Sequence, residues 1–121
     1  MPTGISGLYK NTKGAQEANK NEGKARKMEL KDTIEGMQST DYKERFKAEY
    51  HQTKIRYEKL KAFCNKIEAA ECAQLDGNAT IEMPKHDCPL ALLRDQQSAM
   101  GRYLHVLEIR AVIEGVDLDE I

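Results

Sequence analysis

From Phe46 onward the apolar residues fall into step. Phe46, Tyr50, Thr53, Tyr57, Leu60, Cys64 and Ile67 are spaced by 4, 3, 4, 3, 4 and 3 positions. That repeat draws one stripe along an α-helix and is the pattern of a helix lying against another helix. Charged residues fill most of the positions between. The pairs Asp41–Arg45, Arg45–Glu49 and Glu58–Lys61 have spacings that bring opposite charges together on a helix surface. Asp41, with Glu44 three residues later, stands in capping-box register. The pattern predicts a helix over about 41–71, roughly 45 Å long at 1.5 Å per residue.

A second apolar period begins after Pro89. Leu93, Met100, Leu104, Leu107 and Ala111 lie on one heptad line, interrupted by Gln97, and Leu92, Ala99, Tyr103, Val106 and Ile113 run beside it. The two lines together are wider than a two-helix seam requires, so this helix, expected over about 88–115, should touch its hairpin partner and something else. A second subunit is the simplest candidate, because an isolated two-helix hairpin has little core. Asp87 or Cys88 is the expected cap, with Pro89 in the first turn, and Gly115 the stop, ahead of an acidic tail of Asp117, Asp119 and Glu120. Between the helices, residues 73–87 break the period, with Asp76-Gly77-Asn78 as a turn and Pro84 as a helix breaker. Upstream, Leu30, Ile34 and Met37 mark one face of a short helix over about 29–37, which Gly36 weakens near its end. The fold class predicted is therefore all-α: a short N-terminal helix, then a long antiparallel helical hairpin, assembled as an oligomeric bundle.

Residues 1–27 have a different character. They carry no apolar period and are rich in Gly, Asn, Lys and Thr, so this arm is expected to remain flexible. Its six basic residues (Lys10, Lys13, Lys20, Lys24, Arg26 and Lys27) outweigh Glu17 and Glu22, a net +4, which leaves the rest of the chain at -5 against a total of -1. The arm suits an anionic partner or a solvated tail. Residues 28–121 form the expected hairpin domain. Three cysteines, an odd number, and the lack of a leader-like start argue against a disulfide framework. No apolar run has the length of a membrane span. The expected location is the cytoplasm.

Catalytic signals are sparse. There is no phosphate-cradling glycine loop, nucleophile elbow or paired-histidine metal motif. His51, His86 and His105 are scattered, and the spacing of Cys64, Cys72, His86 and Cys88 does not match structural zinc sites. The expectation is a protein that is not an enzyme and uses no cofactor or metal. Anion binding has more support. Lys43, Lys47, Lys54 and Lys61 lie along one side of the first long helix, with Tyr42, Tyr50 and Tyr57 nearby; cations beside rings can hold a nucleotide, though a solvated lysine face with seam tyrosines gives the same pattern. In the second helix Arg94, Gln96, Gln97 and Arg102 are polar groups close to the apolar stripe. Gln97 suits a register-setting role, and Arg94 near a helix start suits an anion.

The blocks STDYKERFKAEYHQTKIRYEKLKAF and CPLALLRDQQSAMGRYLHVLEIRAVIEG resemble a family of small proteins encoded by phages and prophages of gut bacteria, over about residues 28–116. More distantly, the layout is similar to the helical-hairpin sponges that phages direct against CBASS and Thoeris immune signalling. That resemblance implies a homo-oligomer in the cytoplasm of the infected host that sequesters a cyclic nucleotide signal without cleaving it. It makes Arg94 the position most like the ligand-contacting arginine of those proteins, with Tyr42 and Tyr57 as ring candidates and Lys43, Lys54 or Lys61 on phosphate; Gln97 and Arg102 complete the candidate set. Two other functions share the same features: a protein-interaction inhibitor of a host defence enzyme or nuclease, and a self-associating structural phage protein.

Overall fold

The computed structural model describes residues 27–77 and 80–119. These residues contain only helices: a 3-10 turn Leu30–Thr33 running into α1 (Ile34–Met37), then α2 (Tyr42–Leu75) and α3 (Leu90–Glu114). The basic arm expected up to residue 27 lies, apart from Lys27, outside the described residues.

Helices α2 and α3 lie antiparallel, as cross-helix hydrogen bonds at both ends and the middle show: Tyr42 to Glu114, Tyr50 to Glu108 and Arg94 to Glu68. The seam predicted for α2 is the seam that packs. Phe46, Tyr50, Thr53, Cys64 and Ile67 are buried, and Tyr57 and Leu60 half-buried. Across from them Leu104, Leu107 and Ala111 are buried, with Leu93, Gln97 and Met100 half-buried. Fully burying side chains such as Ile67 and Leu107 stabilises by about 1.5–3 kcal/mol each.

The element ends depart from the sequence expectations in three places. Helix α2 continues to Leu75 rather than stopping near 71, because Ala73, Gln74 and Leu75 are all good helix formers. At its start Asp41 does cap the helix, its carboxylate accepting the Lys43 N–H at 3.0 Å. No capping box closes: Ser39 Oγ takes the Asp41 N–H at 3.0 Å, and Glu44 pairs instead with Lys47 at 2.9 Å. Arg45 likewise donates to the Ser39 carbonyl, away from the carboxylates spaced four residues either side. Helix α3 begins one residue later than expected for a proline in the first turn: Pro89 is itself the extended cap (φ -61°, ψ 147°), and Asp87 and Cys88 precede it.

The segment read as an acidic tail closes the hairpin. Gly115 adopts a left-handed φ of 72°, which glycine takes without a Cβ clash. The Gly115 and Val116 N–H groups both reach the Ala111 carbonyl, the latter at 2.9 Å. This turn drops Val116 into the core beside Ala111 and brings Leu118 against it. A ring nitrogen of His51 (Nε2) then lies 2.6 Å from the Leu118 carbonyl. On the other side of α2, the short helix sits tightly: a Cβ at Gly36 would fall 2.8 Å from Ala48 Cβ. Gly36 therefore acts as a contact point as well as a weak helix former.

Candidate functional site

Midway along the hairpin a cleft of about 200 Å³ opens on one flank of the seam. Tyr50, Lys54, Tyr57 and Glu58 line it from α2, and Gly101, Leu104, His105 and Glu108 from α3. The helical period places these residues together: Tyr50, Tyr57 and Leu104 belong to the seam, and Lys54, Glu58, His105 and Glu108 stand on the rows beside it.

Gly101 shapes one end. A Cβ there would come within 3.2 Å of the Tyr57 ring, so the glycine lets the ring lie close on α3. At the other end the Tyr50 hydroxyl donates to Glu108 at 2.6 Å. Burial, followed by that carboxylate, pushes the Tyr50 hydroxyl pKa well above the ordinary tyrosine range, so Tyr50 stays a neutral donor. The Lys54 ammonium sits 5.8 Å from the centre of the Tyr50 ring, within cation–π range. Among the described residues neither Lys54, the Tyr57 hydroxyl nor His105 has a hydrogen-bond or ion-pair partner. Lys54 and Glu58 also form the wall shared with a broader groove of about 850 Å³, which carries Lys27, Lys59 and His51 above apolar Met28, Ile55 and Ala62.

Of the candidate ligand-binding residues, only Lys54 and Tyr57 meet in this cleft. Lys61 is exposed seven positions beyond Lys54 on α2, about 10 Å along the axis. Lys47 is tied to Glu44, so the lysine row is not uniformly free. Tyr42 and Lys43 lie at the far end of the hairpin, where the Tyr42 hydroxyl donates to Glu114 at 2.8 Å and Arg110 pairs with the same carboxylate at 2.6 Å. The Arg110 hydrogen bond, then that of Tyr42, holds the Glu114 pKa below the usual carboxylate range. Arg94 is at the opposite end, committed to Glu68 (2.5 Å), Asn65 (3.0 Å) and Gln97 (2.6 Å). It bridges the helices there, with Gln97 as its acceptor in the seam. Arg102 is exposed on the outer side of α3.

His105, Gly101, Glu58 and Glu108 were not expected at a site. Glu58 follows Lys54 by four residues on α2; the antiparallel register brings His105, Gly101 and Glu108 of α3 opposite them, and no local sequence signal specifies that register. The cleft offers a ring edge, a cation, an imidazole and two carboxylates around a buried floor. That set can bind a flat heterocycle with an attached anion. Among the described residues no cluster of three or more His, Cys, Asp or Glu is placed to hold a metal ion.

A family model described as Sequestin matches residues 40–113, which span α2, the loop and nearly all of α3. The short N-terminal helix, Gly115 and the strap after it fall outside the match. No curated protein and no solved structure matches the chain.

Proposed function

This chain belongs to the Sequestin family, and from that premise we propose that it binds and holds a cyclic nucleotide immune signal without cleaving it. In this reading the protein is encoded by a phage or prophage and acts in the cytoplasm of the infected bacterium. The family name supports sequestration, and the resemblance to phage sponges supports the class of signal. None of the helices among the described residues is long and apolar enough to cross a membrane, which agrees with that setting.

The observation that carries the reading is Lys54. It is an exposed cation without a carboxylate partner among the described residues, held against an aromatic ring on the wall between two clefts, inside the family-matched part of the chain. A base enters the cleft against Tyr57 and Gly101, and a phosphate lies on Lys54, with Lys59 reachable from the adjoining groove. Base–ring stacking contributes about 1–3 kcal/mol per base.

The test is a thermal-shift screen against cyclic dinucleotides, cyclic trinucleotides and cyclic ADP-ribose-type molecules, followed by mass spectrometry of ligand released on denaturation. A ligand at a hundredfold excess over Kd stabilises by about 2.7 kcal/mol. The expected result is a clear rise in Tm with one class, intact ligand recovered, and loss of the shift in Lys54→Glu at unchanged helical CD. Consumption of the ligand, or a full shift in folded Lys54→Glu, would refute the reading. A flat response across the panel would favour the inhibitor of a host defence protein, sought by pull-down from host lysate.

A further inference from the structure

The side of α3 turned away from α2 carries a second complete heptad line. Leu92, Asp95, Ala99, Arg102, Val106, Ile109 and Ile113 follow one another at spacings of 3, 4, 3, 4, 3 and 4. All seven are exposed, the four large apolar members by between 44% (Val106) and 77% (Ile113). The inner line of α3, from Leu93 to Ala111, is already covered by α2. A surface helix normally carries one apolar stripe; a second one at coiled-coil spacing is the seam for another helix.

We propose that two copies of this chain pair α3 against α3 along this line, antiparallel, with Asp95 of each copy beside Arg102 of the partner subunit. The two charges within the line identify the occupant and its direction. Neither has an ion-pair partner among the described residues. Parallel, in-register pairing sets Asp95 against Asp95 of the partner subunit and Arg102 against Arg102 of the partner subunit, in the layers on either side of Ala99 in a seam that excludes water. Like charges so placed oppose association. Reversing one helix interleaves the layers. Leu92 then faces Ile109 of the partner subunit at both ends, and Asp95 comes within a turn of Arg102 of the partner subunit. Ala99 leaves room for that longer side chain. A two-fold axis repeats each contact, as a closed dimer requires. A helix of another protein would have to supply both complementary charges in this order, whereas this line complements itself. Polar pairs within a heptad seam fix register and orientation.

The pairing does not depend on the ligand reading, and its readout is mass rather than binding. In sedimentation velocity at micromolar concentration the full chain is expected to run as a dimer. Ile109→Glu should run as a monomer with unchanged helical CD, while Val112→Glu, on an exposed position off the line, should stay dimeric. Asp95→Arg alone should weaken association about tenfold or more, which corresponds to about 1.4 kcal/mol. Combining it with Arg102→Asp should restore the dimer, because the reversed charges again meet their opposites only in the antiparallel arrangement. A monomeric wild type, an Ile109→Glu dimer, or a double reversal no tighter than Asp95→Arg alone would each overturn the proposal.

Discussion

Two glycines bear on the cleft and the closure of the hairpin in different ways. At Gly101 the constraint is space: alanine would place its methyl 3.2 Å from the Tyr57 ring. Gly101→Ala should therefore tilt Tyr57 away and weaken ligand binding severalfold while the helix, which gains a better former, keeps its CD signal. Calorimetric titration of the variant checks this. At Gly115 the constraint is the backbone: with φ at 72°, alanine should destabilise the fold by about 1–2 kcal/mol in urea melts. Tyr50 gives a pH signature. Its hydroxyl pKa is raised by burial and by Glu108, so the folded state keeps a proton that the unfolded chain releases near the ordinary value of about 10. Tyr50's contribution is present below that pH and is lost as pH rises from there towards the higher folded value. Urea melts between pH 9 and 11 should show a decline in wild type that is shallower in Tyr50→Phe. Of these three roles only that of Gly115, the expected helix stop, is visible in the sequence. The sequence shows Tyr50 as a seam residue and gives no role to Gly101; for both, the contact on the other helix supplies the reason.

At the scale of elements, the long helices were legible because a period near 3.6 residues, sustained over six or seven turns, matches the geometry of a helix and of no strand or loop. Their ends were less so. The caps depend on competition among a few polar groups: Ser39 takes the N–H that Glu44 needed for a capping box, and Pro89 sits half outside the helix it was expected to begin. The short helix was legible from its spacing, but two of the three residues read as its apolar face, Ile34 and Met37, are exposed, and it is Thr33 that is buried and Gly36 that meets Ala48. That seating predicts that Gly36→Ala destabilises by about 1–3 kcal/mol through overpacking, despite raising helix propensity. Denaturant unfolding of this variant separates the two effects, since propensity alone would stabilise it.

For the whole molecule, the core is narrow and few residues fill it. Leu107, 2% exposed, lies in the cluster of Phe46, Tyr50, Leu104 and Ala111. Leu107→Ala should lose about 2–5 kcal/mol, a large fraction of the stability of a small domain, and equilibrium unfolding measures it directly. The candidate site was only half legible at this scale. The sequence placed Lys54 on the side next to the seam that holds Tyr57, and it also offered Tyr42, Lys43, Arg94 and Arg102, which the structure distributes to the two ends and the outer face. Which of them meet depends on how the turn after Leu75 sets one helix against the other. The sequence reading placed Leu92, Ala99, Val106 and Ile113 beside the seam line of α3, with Tyr103; that they join Asp95, Arg102 and Ile109 in one exposed line emerged only with the structure.

Helix ends ordinarily open first, and α3 reverses that order at its C-terminus. Because Val116 and Leu118 are packed against α2 beyond Gly115, the last turn cannot unwind without drawing both side chains into water. Amide hydrogens there should exchange on the timescale of global opening. At the other end Arg94 ties α3 to Glu68 and Asn65, but the chain just after the last helical turn of α2 is open: Leu75 is 88% exposed, and a Cβ placed on Gly77 would meet nothing within 4 Å. Fraying should therefore begin in the last turn of α2 around Leu75, while the C-terminal turn of α3 stays closed.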